Sequence, residues 1–128
     1  MDLHLEGKRA LVTGSSRGLG YATARGLAME GCDVAINSRS PEPLRETADS
    51  LADQTGRNIV PLVGDVADPA MPAGLIEKTV DALGGLDLLV TNAGGPPAGA
   101  FESFDEETWQ HSVELSFLSH VRLIRAAL

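Results

Sequence analysis

Short apolar runs alternate with amphipathic stretches along the whole chain, and that alternation predicts strands and helices in turn. Lys8–Thr13, which carries the run Arg9-Ala10-Leu11-Val12, reads as a first strand, and Gly18–Glu30 as the helix after it. Gly31 follows as the natural closing residue, since glycine enters a left-handed C-terminal cap without steric cost. Asp33–Ser38 is a second strand. Ser40 then caps a helix whose first turn tolerates Pro41 and Pro43, with Leu44, Ala48, Leu51 and Ala52 as its apolar stripe. Ile59–Val63 reads as a third strand, and Pro61 within it predicts an edge position, because proline donates no ladder hydrogen bond. A helical region follows from Asp68-Pro69, its first turn left open by Pro72, with Leu75, Ile76, Thr79, Val80 and Leu83 as its buried face and Gly84-Gly85 as its stop. Leu86–Thr91 is a fourth strand, short and mostly apolar, as suits a parallel strand covered on both faces. The last pattern is the longest. Asp105 is a good N-cap, Glu106 and Glu107 suit the first turn, and Trp109, Val113, Phe117, Val121, Ile124 and Leu128 recur at helical spacing as a packing face.

One join in this pattern carries chemistry. Between the first strand and its helix lies Thr13-Gly14-Ser15-Ser16-Arg17-Gly18-Leu19-Gly20, with glycines spaced G-x-x-x-G-x-G. Such a turn lets the backbone approach a bulky anion and aims free helix N–H groups at it. In an α/β protein the anion most often cradled this way is the pyrophosphate of a dinucleotide. The loop Gly94–Gly99 follows the fourth strand, at the end of the sheet where ligands bind in open α/β folds. It reads equally as a rigid connector or as a wall of a substrate site.

Composition narrows the picture. The 128 residues make one domain, expected over residues 1–128, and suffice to bury a core. A formal net charge of −8 argues against a nucleic-acid or anionic-membrane surface, though not against a nucleotide held by a few local donors. Cys32 is the only cysteine, which excludes a disulfide framework and a thiolate metal site and suggests a small apolar filler. His4, His111 and His120 have no metal-ligand spacing. The acidic start Met1–Glu6 does not read as a signal peptide, and no stretch approaches a membrane span. A soluble cytoplasmic protein is expected.

Three segments together resemble the short-chain dehydrogenase/reductase family: Thr13-Gly14-x-x-x-Gly18-x-Gly20, Gly64-Asp65-Val66 after the third strand, and Asn92-Ala93-Gly94 after the fourth. The resemblance implies a Rossmann-like, doubly wound parallel sheet of order 3-2-1-4 in a three-layer αβα arrangement. It implies that Gly14 and Gly20 allow close approach to a pyrophosphate, with Ser16, Arg17, Gly18 and Leu19 near the phosphates or the nicotinamide side. Asp65 resembles the carboxylate that accepts from the adenine amino group, Val66 flanks the ring, and Asn92-Ala93-Gly94 braces the central strand beside the adenosine ribose. Members of this type that prefer NAD carry an acid at the end of the second strand, to hold the ribose hydroxyls. Here that stretch reads Asn37-Ser38-Arg39, and Arg39 with Arg17 could clamp a 2′-phosphate that a carboxylate would repel. NADP(H) is therefore expected over NAD(H).

The resemblance implies hydride transfer between the nicotinamide and a carbonyl or secondary alcohol, nearest in general to the 3-oxoacyl-acyl-carrier-protein reductase branch. The family's chemistry also needs a Ser and a Tyr-x-x-x-Lys. The only tyrosine here, Tyr21, has Arg25 four residues on. Ser116 stands seven residues after Trp109, where the family usually places an asparagine. The chain thus reads as the cofactor-binding half of such an enzyme, ending within its last helix and inactive alone. Self-association, as a homo-oligomer or with a missing half, is expected from an open edge on the fourth strand and lost cover over Phe117, Val121, Ile124 and Leu128. A non-catalytic nucleotide-binding or interaction module, or epimerase or lyase chemistry, are the alternatives.

Overall fold

A computed structural model describes residues 1–128. Its four strands are β1 (Arg9–Val12), β2 (Asp33–Ser38), β3 (Ile59–Val63) and β4 (Leu88–Val90). They form one parallel sheet in the order β3-β2-β1-β4, with Arg9 paired to Asp33, Ala10 to Leu88 and Ile36 to Pro61. Pro61 thus sits on an edge strand, as its missing N–H requires. Helices α1 (Gly18–Met29), α2 (Pro41–Thr55) and α3 (Met71–Leu83) connect the strands. After β4 the chain runs through an irregular stretch and a short 3₁₀ turn, Phe101–Ser103. It ends in one nearly continuous helix: α4 (Glu106–Val113), a π-helical turn (Glu114–Leu118) and α5 (Ser119–Ala127).

The strand period of two builds the layers. Ala10, Val12, Val34 and Ile36 point to one face, where Ala24 and Ala28 of α1 and Leu44, Ala48 and Leu51 of α2 bury them. Leu11 and Ala35 point to the other, beneath Leu75 and Ile76 of α3 and Leu123 of α5. The central strands are covered on both faces, so their middles are apolar and their polar residues, Arg9, Asp33, Asn37 and Ser38, stand toward the strand ends. Cys32 is wholly buried in the first cluster, and burial pushes its thiol pKa up. It packs as a small hydrophobe. No helix is long and apolar enough to cross a membrane.

Caps define the helix ends. Gly31, at φ +97°, closes α1 through paired bonds from its own N–H to the Ala28 carbonyl (3.0 Å) and from the Cys32 N–H to the Leu27 carbonyl (3.0 Å). Gly84 closes α3 at φ +83°. Ser40 occupies the cap position of α2, but its hydroxyl makes no capping bond. Pro43, at the third helical position, removes one of the two N–H groups a capping hydroxyl could accept from.

Three sequence expectations are corrected. The helix expected from Asp68 begins at Met71; Asp68 instead closes a turn, its carboxylate accepting from the Ala70 N–H at 3.0 Å. Val80, expected in the buried face of α3, is exposed. The stripe Trp109, Val113, Phe117, Ile124 and Leu128 faces outward, while Ser119 and Leu123 are buried and Leu115 and Ala126 pack against the core. Both lines recur at helical spacing, and only the second meets α3 and the sheet. Ranges also shorten. β4 starts at Leu88 because the Asp87 carboxylate turns to Arg9, accepting from its backbone N–H at 2.9 Å and from Nε at 3.0 Å.

Candidate functional site

The site forms where β1 and β2 end and β4 leaves the sheet, and buried hydrogen bonds tie these ends together. Thr13 is fully buried; its Oγ1 donates to the Asn92 carbonyl (2.7 Å) and accepts from the Asn92 N–H (2.8 Å). The Asn92 side-chain amide donates back to the Gly14 carbonyl at 3.0 Å. Asn92 thus braces the first strand against the fourth. Ser15, also fully buried, donates through Oγ to the Val12 carbonyl (2.6 Å) and accepts from the Asn37 N–H (2.9 Å).

Asn37 is the hub that sequence reasoning missed. It is 1% exposed, and its Nδ2 donates to the carbonyls of Leu62 (2.9 Å) and Gly64 (3.2 Å) while its Oδ1 accepts from the Gly14 N–H (3.4 Å). One side chain therefore links the glycine turn to the end of β3. An amide at the last buried position of a strand was the available signal, because such a group persists there only with partners.

These constraints open a cleft of about 490 Å³. Gly14, Ser16, Arg17, Gly18 and Leu19 form one wall, and Ser38 and Arg39 another. Asp65 with Val66, and Asn92-Ala93-Gly94, complete it. Ser40, Pro43 and Leu115 also line the cleft and were not anticipated. The Asp65 carboxylate accepts from the Ala67 N–H at 3.0 Å, which holds its turn in shape. Gly20, expected at the pyrophosphate, stands behind the cleft instead. A Cβ there would lie 2.8 Å from the Gly14 carbonyl carbon and 2.9 Å from the Ser15 Cα, so this glycine lets α1 pack tightly on the turn. Gly14 has φ +56° and would press a Cβ to 2.7 Å from the Asn92 carbonyl oxygen. Gly18, at φ +64°, leaves open space.

The donors that line the cleft suit an anionic ligand. The N-terminus of α1 carries no side-chain cap and no acid in its first turn, so its N–H groups and dipole remain available to an anion. Arg17 and Arg39 are exposed, line the cleft, and have no carboxylate within ion-pair distance. The basic side chains that do pair lie elsewhere: Arg9 on Asp87, Arg57 on Asp33 and Glu6, Arg122 on Glu114.

Ser116 is exposed within the π-helical turn, and it is the neighbouring Leu115 that reaches the cleft. The Gly94–Gly99 loop divides. Gly94 belongs to the large cleft, whereas Pro96 and Pro97 line a separate cavity of about 100 Å³ with Phe104, Thr108, Trp109 and Ser112. The Phe101 and Trp109 rings pack beside it, 5.1 Å apart and tilted by 56°.

Known proteins share both sequence and shape. The short chain dehydrogenase family model matches residues 8–128. The chain is 35% identical to the 3-oxoacyl-[acyl-carrier-protein] reductase FabG of Escherichia coli, over 98% of this chain and 50% of that protein. It is 33% identical to the L-rhamnose 1-dehydrogenase (NAD(P)(+)) of a Sphingomonas species, over 96% of this chain and 48% of the other. It superposes on the L-sorbose reductase of Gluconobacter frateurii, a structure complexed with NADPH and L-sorbose, with a TM-score of 0.94 and 36% identity. That match covers 99% of this chain and 48% of the reductase. The chain spans about half the length of the relatives it matches.

Proposed function

Because the chain belongs to the short chain dehydrogenase family, we propose that its cleft holds NADP(H) in preference to NAD(H) and serves hydride exchange with a carbonyl or secondary alcohol. The observation that carries this reading is the pairing of Arg17 and Arg39 in one cleft with no acid at the end of β2. A 2′-phosphate is recognised by guanidinium groups that hold it through charge-assisted hydrogen bonds. An acid at residue 39 would instead favour the free ribose hydroxyls. The L-sorbose reductase complex with NADPH supports the same cofactor, and FabG supports a 3-oxoacyl thioester as the substrate class.

The bound dinucleotide would supply the hydride. This chain's residues do the holding: the open N-terminus of α1 and the Gly14–Gly18 turn take the pyrophosphate, and Asp65 and Val66 take the adenine. Asn92, Ala93 and Gly94 take the adenosine ribose. No Tyr-x-x-x-Lys occurs among these 128 residues, since the one tyrosine, Tyr21, has Arg25 four residues on. Proton transfer by a positioned side chain is worth roughly 10²–10⁴-fold, so the 128-residue chain by itself should bind cofactor and show little or no NADPH oxidation.

Calorimetric titration tests the assignment. NADP⁺ should bind about 10-fold or more tightly than NAD⁺, the worth of charge-assisted hydrogen bonds to the extra phosphate. Arg39→Asp should abolish or reverse that order. Equal affinities in the unmutated chain would refute the roles given to Arg17 and Arg39.

A further inference from the structure

Threonines inside helices usually return their hydroxyl to the carbonyl four residues earlier. Thr23, Thr55 and Thr79 all do so here, donating to Leu19 (2.8 Å), Leu51 (2.7 Å) and Thr79's own predecessor Leu75 (2.8 Å). Thr47, in the middle of α2, does not. Its Oγ1 crosses to the glycine turn and donates to the Ser16 carbonyl at 3.0 Å.

That acceptor matters because of what shares its peptide plane. A trans peptide sets the carbonyl of one residue opposite the N–H of the next. Fixing the Ser16 carbonyl toward α2 therefore turns the Arg17 N–H away from α2 and sets the start of the Arg17 side chain. Arg17 is itself extended, at φ −159° and ψ 173°, immediately before α1. Helix α2 is also tied to the other arginine, since it begins at Pro41, two residues after Arg39. One rigid helix thus holds both arms, Arg39 through the chain and Arg17 through a single side-chain hydrogen bond.

Resting on the reading of the cleft as an NADP(H) site, we infer that Thr47 is a positioning residue for cofactor choice. Thr47 does not itself line the cleft, yet through Ser16 it sets the separation of the two guanidinium groups that would share the 2′-phosphate. The other ties of the turn hold Gly14 and Ser15, which leaves the Ser16–Arg17 peptide to Thr47.

Thr47→Val keeps the β-branched shape and removes the donor. Titrated with NADP⁺ and NAD⁺, it should lose about 5-fold in affinity for NADP⁺, the worth of one hydrogen bond, and less than about 2-fold for NAD⁺. Thr47→Ser keeps the hydroxyl and should restore the unmutated ratio. Should valine unfold the chain, Thr47→Ala carries the same comparison. An equal loss for both dinucleotides, no loss for either, or a serine variant that behaves like valine would each overturn the role of Thr47. The unmutated chain separates this from the reading beneath it. If it shows no preference for NADP⁺, the cofactor assignment itself fails and the role of Thr47 falls with it. If the preference is present and Arg39→Asp reverses it while Thr47→Val does nothing, only the present inference fails.

Discussion

Helix α1 contains two interior glycines on which the same substitution should act with opposite sign. Gly26 is exposed, and a Cβ added there meets nothing within 4 Å. Gly26→Ala should therefore stabilise the chain by about 0.5–1 kcal/mol, the helix-propensity difference between the two residues. Gly20 is buried, and its Cβ would meet three backbone atoms of Gly14 and Ser15, none of which can rotate away as a flexible side chain could. Contacts of 2.8 and 2.9 Å fall well inside the 3.4 Å at which ordinary packing begins, so α1 must retreat from the glycine turn. Overpacking of this kind costs about 1–3 kcal/mol, and the same propensity gain of about 1 kcal/mol offsets only part of it. Net destabilisation of up to about 2 kcal/mol is expected, together with weaker dinucleotide binding as the turn loses its shape. Urea unfolding of the three proteins, followed by circular dichroism, measures the pair. A Gly20→Ala chain as stable as Gly26→Ala would refute the assignment of Gly20 to the contact between helix and turn.

Acid should weaken the fold, and part of the effect should trace to one pair. The Arg9 guanidinium, by hydrogen bond and charge, holds the Asp87 carboxyl below its usual range. A depressed folded pKa contributes stability above the unfolded value and loses it as pH falls through the folded one, so Asp87→Asn should flatten the acid limb of a stability-against-pH curve; an unchanged limb would count against the pair. We expect the 128-residue chain to self-associate through Phe117 (61% exposed) and Ile124 (50%), which lie apolar and open on its surface. Light scattering should show species larger than a monomer, reduced in a Phe117→Lys, Ile124→Glu double variant, and a stable soluble monomer of the unmutated chain would contradict this.

The sheet was the most legible part of the sequence. β2 and β3 begin and end at the expected residues because Gly31, Cys32 and the polar stretch before Ile59 punctuate them locally. Pro61 announced its edge position through a missing donor, and the strand order implied by the family resemblance is the one observed. The end of the chain was less legible. Trp109, Val113 and Phe117 are as apolar and as regularly spaced as the line through Leu115, Ser119 and Leu123, and spacing alone does not say which line meets α3. The π-helical turn left no mark in composition. Nor did the ion pair between Glu114 and Arg122, eight residues apart, that spans it.

At the site the division is similar. Glycines and charged residues at strand ends were readable, since their types are rare in such positions without a reason. Roles that depend on packing were not. Gly20 belongs to the same motif as Gly14 yet serves the joint behind the cleft, and Asn37 and Thr47 gain their importance from partners 25 and 31 residues away.

The central claim is that one cleft, built from the ends of four strands, takes the dinucleotide. Backbone amide NMR of the labelled chain titrated with NADP⁺ tests it most directly. The account predicts that shifts concentrate at Gly14–Gly18, Ser38–Ser40, Asp65-Val66 and Asn92–Gly94, with saturation at one equivalent. Shifts confined to the Trp109 side, around Pro96, Phe104 and Ser112, would contradict it.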